Sequence, residues 1–181
     1  MGRADWVPGD LMTHILAALM PENALALRVS LYTGLRISDV LSLRRKDIEK
    51  GRRFTVREQK TGKSRRVYIS ESLRNELLRI CGRWYVFEGR TDQTKHRTRQ
   101  AVYKDLRRAA ELFRVPASLQ VSPHSARKIY AADVFQKYGS VEKVQQLLNH
   151  SSEAVTMLYL IAEAVTERKL SRRKAAKPGG K

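Results

Sequence analysis

The 181-residue chain is predicted to fold as an α+β domain that is mainly helical and carries one small antiparallel β-hairpin. Most of the chain repeats apolar residues every three or four positions, which is typical of helices that bury one face. Residues 50–69 instead alternate apolar and polar side chains around a Gly-containing turn, which is typical of a hairpin. The hydrophobic fraction of 42% is that of ordinary globular proteins, and the length is sufficient to enclose a core.

Two helices are expected near the N-terminus. The first is predicted over residues 9–20, where five apolar residues share one face and Asp10 stands at the N-cap position. The second begins at Pro21, which suits the first turn of a helix, and runs to Tyr32. Gly34 is expected to end it, because glycine readily adopts the left-handed conformation that commonly closes a helix.

Three cations are expected at exposed corners of this fold. Ser38 is predicted to cap a short third helix, which leaves Arg36 at a corner between two helices on the domain surface. Lys60 and Lys63 lie at the tip of the hairpin, where an ammonium group can approach a DNA backbone. Taken alone, each of these cations is more often solvated than functional.

The second half of the chain continues the helical pattern. Residues 84–87 are predicted to be buried because they are aromatic or β-branched, and Phe113 is placed on the inner face of its helix. Residues 88–98 lack periodicity and carry several cations, which indicates a surface loop that contacts phosphates. His96 in this loop is interpreted as structural or phosphate-facing. Further helices are predicted over residues 71–81, 99–113, 123–138 and 141–148, and a last one carries Tyr159.

The composition favours a nucleic-acid partner. A formal charge of +18 and a pI near 10.5 destabilise a compact fold by self-repulsion unless a polyanion neutralises them. No stretch reaches the roughly 18 consecutive apolar residues of a membrane span, and no signal-peptide pattern is present. Cys81 is the only cysteine, which excludes an intramolecular disulfide and a cysteine-based zinc site. We therefore expect a reduced, cytoplasmic protein that binds nucleic acid.

The candidate catalytic side chains are concentrated in residues 123–159, PHSARKIYAADVFQKYGSVEKVQQLLNHSSEAVTMLY. His124 and Arg127 lie one turn apart on a predicted helix, His150 follows a helix end, and Tyr159 comes nine residues later. No metal-ligand spacing, phosphate-binding GxxxxGK[ST] loop or acidic cluster for a two-metal nuclease is present. A reaction at a phosphodiester would therefore depend on cations and a side-chain nucleophile.

Four pieces of the sequence, in order, resemble the tyrosine recombinases, the family of phage integrases and Xer-type site-specific recombinases. They are TGLRISDVLSLRRKDI (33–48), QKTGKSRRVYI (59–69), HSAR (124–127) and LLNHSSEAVTMLY (147–159). The resemblance covers roughly residues 10–162. Asn149 stands where the family usually has glycine, and asparagine tolerates the left-handed conformation required there.

The resemblance implies a catalytic domain over residues 1–165, and the basic segment 166–181 is expected to be a flexible tail because it lacks an apolar face. Family members usually carry a separate N-terminal core-binding domain as well. Only about nine residues precede the first predicted helix. We therefore expect either an isolated catalytic domain or a minimal member, and tight sequence-specific binding by this chain alone is not expected.

The resemblance also implies a reaction and the residues that perform it. Tyr159 would attack a DNA phosphorus, form a 3′-phosphotyrosyl bond and release a 5′-hydroxyl, without metal, ATP or other cofactor. The planar guanidinium groups of Arg36 and Arg127 would bind the nonbridging oxygens in the transition state. The full catalytic set consists of Arg36, Lys60, His124, Arg127, His150 and Tyr159.

The other members of this set have supporting chemistry. Lys60 would protonate the leaving 5′-oxygen, with Lys63 as the alternative. His124 would accept the tyrosine proton or hold the phosphate, and His150 would donate a hydrogen bond to a nonbridging oxygen. Asp39 would orient Arg36 or His124.

The expected partner is double-stranded DNA. The resemblance implies a tetramer on paired DNA sites that exchanges its C-terminal segment, and we expect a monomer in solution. The expected location is the bacterial cytoplasm, at a bacterial or phage nucleoid. Two alternatives remain open: relaxation of supercoils in the manner of a type IB topoisomerase, and a DNA-binding module that regulates recombination. Additional DNA contacts are predicted for Lys63, Arg65, Lys95, Arg97 and Arg99.

Overall fold

A computed structural model describes residues 9–116 and 119–149. His150, Tyr159, the last predicted helix and the predicted tail 166–181 lie outside these ranges. The chain forms two compact units, residues 1–130 and residues 131–181. Within the described ranges, no helix has the length and apolar character needed to cross a bilayer.

The described residues form short and medium helices and one two-stranded sheet, which confirms the predicted fold class. The strands β1 and β2 pair antiparallel, with Phe54 opposite Val67 and Val56 opposite Arg65. In chain order the elements are α1 (Gly9–Ala17), α2 (Pro21–Thr33), α3 (Ile37–Leu41), α4 (Arg45–Glu49), β1 (Arg53–Arg57), β2 (Ser64–Tyr68), α5 (Glu71–Ile80), α6 (Arg99–Leu112), α7 (Pro123–Tyr138) and α8 (Val141–Leu148).

Several predicted helix ends are confirmed by their capping bonds. Gly34 has φ 67° and its N–H donates to the Ser30 carbonyl, so α2 closes through a left-handed residue. The Ser70 hydroxyl accepts from the Leu73 N–H at the start of α5. Asn149 has φ 56° at the end of α8, the left-handed conformation expected of it.

Two predicted caps are wrong. Asp10 lies inside α1, which already includes Gly9 among the described residues. Ser38 lies inside α3, because the Arg36 carbonyl already accepts the first helical bonds from Asp39 and Val40 at 2.9 and 3.0 Å.

Two other boundaries differ from the prediction. The first helix ends at Ala17 and does not continue to residue 20. The Met20 N–H donates to a side-chain oxygen of Asp105 at 2.8 Å, a bond that a continued helix would not allow. The five-residue helix α4 was not predicted, because it is too short to show a period.

The core of the first unit is built from every described element of that unit. The inner face of the hairpin contributes Phe54, Val56 and Val67. Among the most deeply buried side chains are Ile15, Leu27, Leu35, Leu41, Ile48, Leu77, Phe87 and Leu106. This core holds the α2–α3 corner, the hairpin and the start of α7 as one packed body.

Two aromatic residues predicted to be buried are exposed. Trp84 is 50% exposed, and the guanidinium of Arg83 lies over its ring at 5.1 Å. Phe113 is 43% exposed, because α6 ends one residue earlier and its ring stacks on His14 instead of entering the core. Val86 and Phe87, from the same predicted run as Trp84, are buried as expected.

The two phenylalanines make a matched test of this packing. Phe87→Ala is expected to lower the free energy of unfolding by about 3–5 kcal/mol, because Phe87 is only 1% exposed and the substitution leaves a cavity. Phe113→Ala should cost about 1 kcal/mol or less, since that ring already faces water on one side. Urea unfolding of both variants measures the difference. Equal losses would contradict the assigned burial.

Candidate active site

The corner between α2 and α3 is fixed by side-chain hydrogen bonds. The Ser30 hydroxyl donates to the Leu35 carbonyl at 2.7 Å. The Thr33 hydroxyl accepts from the Leu35 N–H at 3.2 Å and donates to the Val29 carbonyl at 2.6 Å. The next residue is Arg36, which is only 5% exposed. It therefore lies inside the domain, and the predicted surface position is wrong.

A buried carboxylate holds the guanidinium of Arg36. Nη1 of Arg36 donates to Oε2 of Glu58 at 2.7 Å, and Glu58 is 0% exposed. A second arginine approaches from the other side: Nη1 of Arg65 lies 3.8 Å from Oε1 of Glu58. The Arg65 guanidinium also donates to the Thr33 carbonyl, next to the corner. Burial lowers the pKa of Arg65.

Sequence reasoning missed Glu58, although the sequence contains a signal for it. Inward positions in a strand recur every second residue. Phe54 and Val56 occupy such positions in β1, so the next one falls on Glu58. A carboxylate at an inward-facing position of a strand is expected to pair with cations, because burying an isolated charge costs too much free energy.

Asp39 joins the same corner. It is 0% exposed, and its Oδ1 accepts the Gln59 N–H at 2.9 Å. Burial raises the pKa of Asp39, while the bond from Gln59 and the positive charges of Arg36 and Arg127 act in the opposite direction. The carboxylate therefore lies within electrostatic reach of both arginines.

The start of α7 brings a third arginine to this corner. The Ser122 hydroxyl accepts the His124 N–H at 3.2 Å, and the Ser125 hydroxyl accepts the Ser122 N–H at 3.3 Å, so the first turn is capped from both sides. Arg127 is 1% exposed, and its Nη1 donates to the Gly34 carbonyl at 2.5 Å. His124, one turn earlier, is exposed.

The hairpin turn presents Lys60 and Lys63 to solvent. The turn is closed by the Glu58 N–H, which donates to the Lys63 carbonyl at 3.0 Å, and by Gly62, whose φ is 68°. Lys60 directly follows Gln59, whose backbone is bound to Asp39. The Lys63 backbone is joined to Glu58 through the carbonyl bond just named. The backbones of both lysines are thus joined to residues that bind the Arg36 corner.

The structure brings together most of the catalytic set that it describes. Arg36, Asp39 and Arg127 share one buried corner, and Lys60 and His124 lie on segments anchored to it. The remaining predicted members, His150 and Tyr159, fall outside the described residues.

Arg97, predicted to contact DNA, lies mostly inside the protein and has protein partners. Its side chain is only 11% exposed and lies 3.7 Å from Glu22 Oε2. It also donates to Asn23 Oδ1 at 3.0 Å. These partners favour a role in joining the loop 88–98 to α2. The buried side chain of Arg65 likewise favours a role inside the corner over a direct phosphate contact.

Lys95 and Arg99 remain on the surface. Lys95 is 79% exposed and pairs with Asp92 at 3.0 Å. Hydrogen bonds from Thr94 and Lys95 lower the pKa of Asp92 to about 2. His96 packs edge-on against Tyr85 and its Nδ1 lies 2.8 Å from the Arg97 carbonyl, which is consistent with the structural interpretation.

A cleft of about 670 Å³ opens beside His124, between α6 and the segment that leads into α7. Four residues of α6 line it, Arg99, Gln100, Tyr103 and Arg107, and their spacing of three and four places them on one face of the helix. Sequence reasoning did not use this spacing. Its wall combines cationic and polar side chains with the apolar residues Ile37, Val121 and Pro123. The cationic and polar groups suit a phosphate backbone and the edges of bases. The polar lining consists of Arg99, Gln100, Tyr103, Arg107, Gln120, Ser122 and His124.

Comparison with known proteins gives consistent results. Residues 6–164 match the phage integrase family. The chain is 31% identical over 140 residues to the probable integrase/recombinase YoeC of Bacillus subtilis, covering 75% of each chain. It is 29% identical over 134 residues to the tyrosine recombinase XerA of Pyrococcus furiosus, covering 70% of this chain and 46% of that protein. The chain thus spans about half to three quarters of these relatives.

Solved structures share the fold at low identity. A lambda integrase dimer bound to a COC′ core site superposes with a TM-score of 0.72 at 20% identity, over 87% of this chain and 48% of that one. The catalytic domain of bacteriophage HP1 integrase superposes with a TM-score of 0.63 at 19% identity, over 93% of this chain and 98% of that domain. Together with the family match over residues 6–164, these findings show that the chain belongs to the phage integrase family, the tyrosine recombinases.

Proposed function

We propose that this protein is a site-specific recombinase that breaks and rejoins double-stranded DNA through a covalent 3′-phosphotyrosyl intermediate. The observation that carries the proposal is the convergence of Arg36 and Arg127, two buried arginines 91 residues apart in sequence, on one corner beside Asp39. Burying two guanidinium groups costs free energy that only their hydrogen-bond and charge partners offset. Two cationic donors fixed side by side are what stabilisation of a phosphoryl-transfer transition state requires.

The arginines would stabilise the charge that builds on the phosphate. Attack on phosphorus increases negative charge on the nonbridging oxygens, and guanidinium groups bind such oxygens bidentately. Protein partners hold Arg36 and Arg127 in place, so little reorganisation is needed when the phosphate arrives. Asp39 would keep both groups oriented.

The remaining groups would move protons and form the covalent bond. The oxygen of Tyr159 attacks phosphorus, the bond to the 5′-oxygen breaks, and Lys60 supplies a proton to that oxygen. His124 accepts the phenol proton or holds the phosphate, and His150 donates to a nonbridging oxygen. A 5′-hydroxyl of a second strand reverses the step, so the bond energy is conserved and neither metal nor ATP is consumed.

We propose the same assembly behaviour as the sequence predicts. The protein would be monomeric in solution and tetrameric on paired sites, exchanging the segment 161–181 between neighbours. The lambda integrase tetramer bound to a Holliday junction supports, by analogy of fold, the tetramer on DNA. The cytoplasm is the proposed location.

A pool of nicked duplexes with randomised sequence tests the proposal. Because the nick lets the short cleaved strand diffuse away, religation fails and a covalent protein–DNA adduct accumulates. We expect an adduct that survives denaturation and forms in excess EDTA without ATP. Cleavage only with Mg²⁺, or no adduct from any sequence, would contradict the proposal. Adducts of every sequence, with relaxation of plasmids and no exchange between sites, would indicate topoisomerase activity instead.

A further inference from the structure

Glu58 lies where three parts of the candidate site meet. Its carboxylate is 0% exposed at the end of β1, next to the hairpin turn that carries Lys60. One oxygen accepts from Arg36 at 2.7 Å and from the Thr61 hydroxyl at 3.2 Å. The other oxygen lies 3.8 Å from Arg65. A single carboxylate therefore links the α2–α3 corner, both strands and the turn.

The adjacent residue makes a second connection to the same corner. The Gln59 N–H donates to Asp39, three residues after Arg36, at 2.9 Å. Residues 58 and 59 thus bind the corner through one ion pair and one backbone hydrogen bond. Lys60 follows at once, so its backbone position is set by these two contacts.

The charges explain why a carboxylate is needed at this point. The guanidinium groups of Arg36 and Arg65 approach the same carboxylate from two sides, and the charge of Arg36 acts to lower the pKa of Arg65. Without the charge of Glu58, these two cations would repel each other in a poorly solvated setting. Arg36 would then leave the position in which it meets a phosphate.

We propose that Glu58 is a positioning residue for DNA cleavage, which fixes the Arg36 guanidinium and the Lys60 turn as one unit. This inference rests on the proposed function. In this role Glu58 does not contact the phosphate itself. It acts through Arg36, and displacing a catalytic group by about 1 Å can slow a reaction by roughly 100-fold.

The test compares Glu58→Gln and Glu58→Asp with the unmodified protein. The rate of adduct formation at saturating DNA and the Kd for DNA are measured separately, at a temperature where thermal unfolding shows every variant folded. We expect Glu58→Gln to cleave roughly 10- to 100-fold more slowly, with Kd changed less than threefold. Glu58→Asp keeps the buried charge but withdraws it from Arg36, and should cleave roughly 10-fold more slowly.

Glu49→Gln is the matched control. Glu49 makes an equally short ion pair with Arg45, 2.7 Å, but both side chains are about half exposed. Loss of that pair should leave the cleavage rate within twofold, because exposed ion pairs contribute little. Wild-type rates for Glu58→Asp would overturn the inference, even if Glu58→Gln proved too unstable to assay.

A double variant identifies the residue through which Glu58 acts. In an Arg36→Ala background, Glu58→Gln should slow adduct formation by a clearly smaller factor than in the unmodified protein, since only its contact with the Lys60 turn remains to be lost. If the two losses multiply, Glu58 does not act through Arg36 and the inference fails. The proposed function fails separately: it is lost if the unmodified protein forms no adduct, whatever the Glu58 variants do.

Discussion

Tyr159→Phe is expected to abolish formation of the covalent adduct while DNA binding persists. Phenylalanine keeps the ring but lacks the oxygen that would attack phosphorus, so no protein–phosphate bond can form through residue 159. Adduct is quantified on denaturing gels after incubation with the nicked duplex selected from the random pool, and binding is measured by fluorescence anisotropy. We expect adduct below the detection limit and a Kd within about threefold of the unmodified protein.

The matched control is Tyr138→Phe. Tyr138 ends α7 and is 50% exposed, so loss of its hydroxyl should change neither folding nor adduct formation. An adduct formed equally by Tyr159→Phe and the unmodified protein would remove Tyr159 from the mechanism. A loss in Tyr138→Phe alone would move the nucleophile to α7.

Replacing either buried arginine by lysine should give the next largest effect. Arg36→Lys and Arg127→Lys keep the charge but lose the planar fork that binds two phosphate oxygens at once. Each should slow adduct formation by about 100-fold or more, the typical cost of removing one donor from such a site. Part of the loss comes from broken contacts within the protein. Arg36 binds Glu58 and Arg127 binds the Gly34 carbonyl, and a lysine cannot keep such a bond while it also contacts the phosphate.

Arg45→Lys is the control that separates loss of the buried arginines from the general effect of replacing an arginine by lysine. Arg45 is an arginine of α4 whose partner Glu49 is exposed, and its replacement should leave the rate within twofold. The measurement is single-turnover adduct formation at saturating DNA, with thermal unfolding to verify the fold. Near-normal rates in Arg36→Lys or Arg127→Lys would mean that the buried corner is structural and that the phosphate is bound elsewhere.

Sequence patterns predicted helix ends well where the capping residue itself determines the end. A left-handed residue closes α2 at Gly34 and α8 at Asn149, and both were evident from residue type. Ser70 and Ser140 cap their helices for the same reason. Failures arose where a distant contact decided the outcome. The first helix stops early because Met20 is held by Asp105, 85 residues away.

The candidate site shows the same division. The ordered motifs placed Arg36, Asp39, Lys60, His124 and Arg127 among the functional residues, but not the depth at which the arginines lie. Arg36 was expected at the surface because charged residues usually are exposed. Its burial depends on Glu58, which lies 22 residues away on another element. Arg97 is similar, since its partner Asn23 is separated from it by 74 residues.

These contacts suggest why the site is assembled from separated segments. The corner at Arg36, the hairpin carrying Lys60 and the start of α7 each provide one or two groups, and no segment contains enough for the chemistry. Hydrogen bonds between the segments, from Arg127 to Gly34 and from Gln59 to Asp39, keep their spacing fixed. Fixed spacing is what phosphoryl transfer by positioning and electrostatics requires.

Identification of the residue bonded to DNA tests the central claim most directly. The adduct trapped on nicked duplex is digested with a nuclease and a protease, and the peptide that carries the nucleotide remnant is sequenced by mass spectrometry. We predict a remnant joined through its 3′-phosphate to the oxygen of Tyr159. A remnant on any other residue, or one attached through a 5′-phosphate, would contradict it.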